Sequence, residues 1–340
     1  MASIVLIKKI LLLQVILCCF FVTSVLAQRK TLNWFYQAKY GVFVHYLNKL
    51  QNGDQPWNQG KITSWDSCVN DFDVIKFADQ VHQTGAGYVL FTTLQIDKYL
   101  CVPNSTYENL TGYPRGNATP HRDLIKEIYN ALSKYNIKLF LYVTGDGPKN
   151  DRQASKQLNN PSYYQSKTVP FKMNNQFVKK WSLVLKDISQ RYKNKITGWW
   201  VDGSYPFIGY NDIYLGQLAA ALKSGNPNSI IAFNSGVNPK VQFYTKYDDY
   251  LAGDMNDFYE VPTSRYIQGK QWHLVSFIGG PRWARPGVRK PAAYMINYLN
   301  KCHAAGGVVT MEMTLHRDGS LDDEQLKELI AIKKAIKPNE

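Results

Sequence analysis

Short apolar runs and amphipathic stretches alternate along this chain from residue 40 almost to its end. The apolar runs Tyr40–His45, Ala86–Thr92, Ile137–Val143, Ile196–Val201, Ile230–Phe233, Tyr250–Asp254, Leu274–Ile278 and Val308–Met311 predict eight strands. Few polar residues interrupt them, the pattern of strands covered on both faces. Between them, apolar residues recur at helical spacing. This predicts helices over 74–83, 124–135, 177–192, 213–222, 291–305 and 323–336. The first of these places Phe77, Ala78 and Val81 on one face and stops at Gly85. Strands separated by helices form parallel neighbours, because a parallel connection needs a crossover. The expected fold is an α/β (β/α)8 TIM-type barrel forming a single domain over residues 28–340, without a C-terminal β-sandwich. Residues 237–272 are the exception, because no regular helix is evident there.

A barrel of this kind gathers its chemistry at the carboxyl ends of the strands. The run Ile196-Thr-Gly-Trp-Trp-Val-Asp-Gly203 ends on a carboxylate followed by glycine. Asp202 therefore reads either as a catalytic nucleophile or as a loop-capping aspartate. Trp199 and Trp200 beside it favour the first, since flat aromatic faces suit a sugar ring. The other strand ends supply His45, Gln95 with Asp97, Asp146, Asp254 with Glu260, and Glu312 with His316. Converging carboxylates suit acid/base chemistry on a hydroxyl-rich substrate. A retaining glycosidase needs two of them about 5 to 5.5 Å apart. Asp202 is the expected nucleophile and Glu260 the expected acid/base, with Asp254 and Glu312 as alternatives. Glu312 also reads as a buried structural carboxylate, and His45 as either a sugar ligand or a core histidine. Trp65 and Trp200 are candidate stacking faces. His45, Gln95, Asp97, Asp254 and Glu312 are candidate binding groups.

Other features narrow the picture. Residues 1–27 carry Lys8-Lys9, an apolar run and Ala27, and read as a secretory signal peptide. The expected location is extracellular, or another compartment reached through such a leader. No later run is long enough for a membrane span. The net charge of +14 allows an acidic glycan as partner, with Arg282, Arg285, Arg289 and Lys290 around Trp283 as its candidate contacts. The basic residues are spread along helices, which argues against nucleic acid. Cys68 and Cys101 are the favoured disulfide, with Cys302 a buried thiol. Asn104, Asn109 and Asn117 each open a glycosylation sequon. There is no phosphate loop, dinucleotide fingerprint or metal-spaced His/Cys cluster, so no cofactor or metal is expected.

These motifs, in this order, resemble the α-L-fucosidases of glycoside hydrolase family 29. The resemblance rests on Lys39-Tyr-Gly-Val-Phe-Val-His-Tyr46 with Trp34 upstream. It continues through Phe72–Asp79, Gly85–Thr93, Arg122-Asp-Leu124, Leu139–Tyr142, Trp200-Val-Asp-Gly203, and Gly253-Asp254 followed by Glu260. It implies a (β/α)8 barrel, a retaining double displacement on a terminal sugar of a glycan, and Asp202 as nucleophile. One departure stands out. The family's His-His-Asp-Gly-Phe stretch, which grips fucose, reads here Gln95-Ile-Asp-Lys-Tyr99. That predicts a sugar other than fucose, or slow turnover of fucose. It also keeps open a catalytically impaired, lectin-like glycan binder.

Overall fold

The computed structural model describes residues 32–53, 60–161 and 172–337. Seven parallel strands form one curled sheet in the order β5-β4-β3-β2-β1-β9-β8. They are β1 (Tyr40–Val44), β2 (Tyr88–Thr92), β3 (Lys138–Thr144), β4 (Ile196–Asp202), β5 (Ile230–Phe233), β8 (His273–Phe277) and β9 (Val308–Met313). A small antiparallel hairpin, β6 (Tyr266–Ile267) and β7 (Lys270–Gln271), precedes β8. The long helices outside the sheet are α1 (Val74–Thr84), α2 (Leu124–Ser133), α3 (Asn175–Tyr192), α4 (Asp212–Lys223), α5 (Ala292–Ala304) and α6 (Asp323–Ile336).

Seven of the eight expected strands and the expected helices are present with ends moved by a few residues, and the architecture is a (β/α)8-type barrel. Helix starts follow side-chain caps. Asp73, Asp123, Asn174, Asn211 and Asp322 each accept a backbone N–H of the first turn. α1 ends at Gly85 with φ +73°, where a left-handed residue closes the last turn.

Strand pleating sorts the side chains into two layers. Val42, Val44, Val89, Phe91, Leu139, Leu141, Trp199, Val201 and Ile231 pack outward with the helices. Phe43, Tyr88, Leu90, Phe140, Tyr142, Trp200, Ile230 and Val275 fill the interior. At the amino end of the strands, the helix over residues 32–37 sets Phe35 into the barrel. Its ring lies 5.1 Å from Tyr88, 5.6 Å from Phe140 and 5.0 Å from Tyr250. The interior is therefore a packed core stoppered at one end.

The sixth strand position is where the structure departs from the expected pattern. Residues 250–254 make only isolated parallel bridges to the β7–β8 segment, Tyr250 with Gln271 and Asp254 with Val275. Toward β8 the backbone still pairs, through Val275 N–H to Gly253 (2.9 Å) and Met255 N–H to Val275 (3.1 Å). Toward β5, the Asp249 N–H reaches the Ile231 carbonyl (2.7 Å), and side chains take the β5 donors. Asp249 accepts the Ile231 N–H at 3.0 Å, and Asp248 accepts the Phe233 N–H at 2.8 Å. Carboxylates occupying the β5 donors are the physical reason no regular strand forms here. The barrel still closes.

The three described cysteines are buried and free, so the expected Cys68–Cys101 disulfide is not formed. Cys101 Sγ instead donates to the Tyr46 carbonyl (3.4 Å) and Cys68 Sγ to the Gln51 carbonyl (3.6 Å). Among the described residues no helix is long and apolar enough to cross a membrane.

The clasp that Asp248 and Asp249 form on the β5 donors makes a stability prediction. Asp248→Ala removes acceptors from two backbone donors, Phe233 N–H and Thr245 N–H. Stranding buried donors costs about 1–3 kcal/mol. Urea denaturation of Asp248→Ala is expected to show that loss, and a variant as stable as the parent would refute the clasp.

Candidate active site

The carboxyl ends of the strands surround a cavity of about 150 Å3 lined by Phe43, His45, Gln95, Tyr142, Trp200, Asp202, Asp254 and Trp283. Its floor is an aromatic stack. Tyr142 lies between Phe43 (5.6 Å) and Trp200 (5.4 Å), each at an interplanar angle of 20°. Trp283 closes one side, edge-on to Phe43 and to His45. Strand alternation decides which tryptophan takes part. Trp200 faces inward with its Nε1–H on the Ala252 carbonyl (3.0 Å). Trp199 faces the helices, with its Nε1–H on Ser229 (3.3 Å).

Asp202 ends β4 and receives three hydrogen bonds. Tyr142 donates to Oδ2 (2.6 Å), while Tyr205 (2.8 Å) and the Asn234 amide (2.9 Å) donate to Oδ1. The following Gly203 has φ +59°, and a Cβ there would lie 2.3 Å from an Asp146 oxygen. Only glycine therefore allows the chain to turn away directly behind the carboxylate. Burial, then the nearby Asp202 charge, raises the Tyr142 and Tyr205 hydroxyls well above the usual tyrosine range. Both keep their protons as donors.

The same Asn234 amide donates to Asp254 Oδ2 at 2.7 Å. One NH2 group thus bridges the two carboxylates. The two bond lengths cap the separation of the bonded oxygens close to the roughly 5–5.5 Å of retaining glycosidases. Burial, and next the Asp202 charge, pushes the Asp254 carboxyl up to about 7, with the Asn234 bond acting in the opposite direction. Asp254 also follows a glycine at positive φ. A Cβ on Gly253 would fall 2.0 Å from the His273 carbonyl.

His45 is buried, and its ionisation is pushed down to about 4 by desolvation against a weaker opposing pull from Asp202. The ring is neutral near pH 7. Thr92 donates its hydroxyl proton to Val44 (3.2 Å), so its oxygen accepts the His45 Nδ1–H (3.0 Å). That assigns the unprotonated Nε2 to the cavity as an acceptor. Gln95 donates to the Tyr142 hydroxyl at 3.3 Å.

Several expected residues lie elsewhere. Glu260 does not line the cavity with Asp202. Its Oε2 accepts the Val241 N–H (2.5 Å) from the segment that follows β5, and Asp254 is the carboxyl facing Asp202 instead. Trp65 is buried in the outer layer, donating Nε1–H to the Leu100 carbonyl (2.7 Å). Asp97 lines a neighbouring chamber, paired with Lys49 at 3.1 Å. Glu312 is buried under the rim. Desolvation pushes it up to about 8, and its Oε1 accepts the Ala284 N–H (2.8 Å). It thereby fixes the loop carrying Trp283. Asp146 is buried against Lys149 (2.5 Å). Of the four cations around Trp283, Arg289 and Lys290 are held by Asp257, at 3.6 and 2.8 Å. Phe43, Tyr142, Tyr205 and Asn234 were not anticipated. A strand-parity argument finds the first two, since each lies two residues before a strand-end polar residue on the same face. Among the described residues no cluster of His, Cys, Asp or Glu is placed to hold a metal ion.

A barrel with paired carboxylates and an aromatic floor at its mouth is of the glycoside hydrolase class. The family model for α-L-fucosidase matches residues 59–340, and the chain belongs to that family. Tissue α-L-fucosidase from Bos taurus is 26% identical over 197 residues. That stretch covers 51% of this chain and 39% of the bovine protein. Among solved structures, α-L-fucosidase isoenzyme 1 from Paenibacillus thiaminolyticus superposes with a TM-score of 0.64 at 18% identity, covering 92% of this chain and 76% of that one. An endo-fucoidan hydrolase from glycoside hydrolase family 107 gives 0.65 at 14% identity, covering 88% and 92%.

The buried Glu312 carries a pH prediction. Its folded value of about 8 exceeds the roughly 4.3 of an unfolded glutamate. The folded state therefore favours the proton. That contribution is full below the unfolded value and is lost as pH rises toward the folded one. Glu312→Gln keeps an acceptor for Ala284 and never ionises. Its melting temperature relative to the parent is expected to climb between about pH 5 and pH 8.5; a flat or falling difference would show that the carboxyl is not buried as a neutral acid.

Proposed function

We propose that this chain is a secreted retaining glycosidase that cleaves the bond of a fucose-like sugar with Asp202 as nucleophile and Asp254 as acid/base. The observation that carries this reading is the Asn234 amide shared by both carboxylates. Its two partners differ in environment as the mechanism needs. Asp202 is surrounded by three donors, whereas Asp254 has one and holds its proton up to about pH 7. Asp254 gives that proton to the leaving oxygen as Asp202 attacks the anomeric carbon, and the glycosidic bond breaks. The resulting carboxylate then takes a proton from water, which attacks the glycosyl ester and releases the sugar with its original anomeric configuration. His45 Nε2 accepts a sugar hydroxyl, and the Phe43–Tyr142–Trp200 floor carries the apolar face of the ring.

Support for secretion is the leader over residues 1–27, which lies outside the described residues. Asn109 and Asn117 are exposed, whereas Asn104 is buried with its amide on the Val184 carbonyl (3.1 Å) and its oxygen on the Tyr107 N–H (2.7 Å). If the chain is secreted through a eukaryotic pathway, peptide mapping is expected to find glycan at Asn109 or Asn117 and none at Asn104. Glycan on Asn104 would contradict the buried cap.

A second reading, a lectin-like binder, draws on the Gln95–Tyr142 contact, which commits the amide standing where the resemblance places a histidine. Kinetics separate the two. Asp202→Asn is expected to lower kcat on a nitrophenyl glycoside on the order of 10⁴-fold. Asp254→Ala is expected to lose the alkaline limb near pH 7 and to recover turnover with azide, giving a glycosyl azide of retained configuration. Normal turnover in Asp202→Asn, or a limb near pH 7 that survives in Asp254→Ala, would overturn the assignment. Glycan binding without turnover in the parent would establish the binder.

A further inference from the structure

A second chamber opens from the Asp202 cavity, and we propose that it binds a second, uncharged sugar unit attached to the sugar being cleaved. The chain would then act beside an internal or branched residue rather than a bare terminal one. This rests on the proposed reading of the Asp202 cavity as the site of cleavage, and it changes the substrate class.

The two spaces share His45, Gln95 and Trp283. The second holds about 180 Å3, against about 150 Å3 for the first. Each is therefore of similar capacity, and one sugar ring in the first leaves the second empty. The chamber meets the wall formed by His45 and Gln95, whereas Asp254 lines the Asp202 cavity alone. The leaving oxygen must lie at Asp254. The chamber therefore adjoins the hydroxyls of the cleaved sugar, away from its leaving group.

Its lining states the chemistry of the occupant. Leu47, Ile96, Tyr99 and Trp283 offer apolar and aromatic faces, and Lys49 with Asp97 offers a donor beside an acceptor. The Tyr99 ring is propped by Trp65 at 5.7 Å. An ammonium already neutralised by a carboxylate at 3.1 Å gives a sulfate or uronate no net attraction, and Asp97 repels it. Vicinal hydroxyls, which donate and accept together, match that pair. The occupant is thus a neutral pyranose.

The test compares 4-nitrophenyl α-L-fucoside with the glycosides of the three neutral fucobioses that carry a second fucose on the 2-, 3- or 4-hydroxyl of the cleaved ring. Parent, Ile96→Trp and Leu50→Trp are assayed. Both replacements fill the chamber, and neither position lines the Asp202 cavity. At least one biose is expected to exceed the monosaccharide about tenfold in kcat/KM, with release of intact fucobiose. Both variants are expected to abolish that preference while changing monosaccharide turnover less than about twofold. Equal or better cleavage of the bare fucoside, or a preference that survives both variants, overturns the proposal. If the parent cleaves nothing, the cleavage reading fails on its own, and calorimetry with free fucose, fucobioses and sulfated fucose decides the chamber. A biose bound about tenfold tighter than fucose, and only in the parent, supports it. Equal binding, no binding, or tighter binding of the sulfated sugar overturns it.

Discussion

The barrel depends on how its two sheet edges are joined between β5 and β8. A parallel sheet that curls without closing leaves two rows of unpaired backbone groups, and burying such groups is costly. Here one short segment serves both edges by different means. Its backbone pairs with β8 and, through the Asp249 N–H, with the Ile231 carbonyl of β5, while the side chains of Asp248 and Asp249 occupy the donors of β5. Lys223 balances Asp249 at 2.7 Å. Asp248 sits buried with its carboxyl pushed up to about 7 by desolvation. The site inherits its geometry from this arrangement. The segment that closes the barrel ends at Gly253-Asp254, and it brings Asp254 to the Asn234 amide just beyond β5.

Within the site, the two carboxylates are distinguished by their neighbours rather than by residue type. Both are half-buried aspartates touching the same amide. Two tyrosine hydroxyls also reach Asp202, and none of the hydrogen bonds found at Asp254 comes from a tyrosine. Burial, and next the Asp202 charge, discourages ionisation of Asp254. Two aspartates of one type thus sit in unequal environments because one has a poorer set of donors.

Most of the fold was legible in the sequence because it is written in periodicity. Continuous apolar runs mark strands buried on both faces, and Asp or Asn before an amphipathic stretch marks a helix start. The sixth strand position was misread for a physical reason. Tyr250-Leu-Ala-Gly-Asp254 has strand-like composition, yet its pairing is set by two aspartates upstream that no periodicity reveals. Asp202 was legible because Trp-Val-Asp-Gly ends a strand on a carboxylate and a glycine. Glu260 was misplaced because proximity in sequence to a strand end says nothing about which way a loop carboxyl turns. Val241, nineteen residues earlier, captures it.

The tryptophans show what separates a legible site residue from an illegible one. Trp199 and Trp200 are adjacent and equally suited to a sugar face, but the pleat sends them to opposite layers. Since Asp202 faces inward to line the cavity, its neighbour in sequence cannot share its face, whereas the residue two positions earlier does. The same step of two leads from His45 to Phe43 and from Thr144 to Tyr142, so the three aromatic floor residues follow once the strand-end side chains are assigned an inward direction. Trp283 has no such rule, because it sits on a loop. Its place is set by Ala284, held at φ +54° with its N–H on the buried Glu312. Of the two roles its sequence position allows, chemistry or structure, the contact found for that carboxyl is a positioning one beneath the rim. The interior of the barrel is thus readable from strand parity, whereas the rim depends on contacts such as this one, which join residues far apart in the chain.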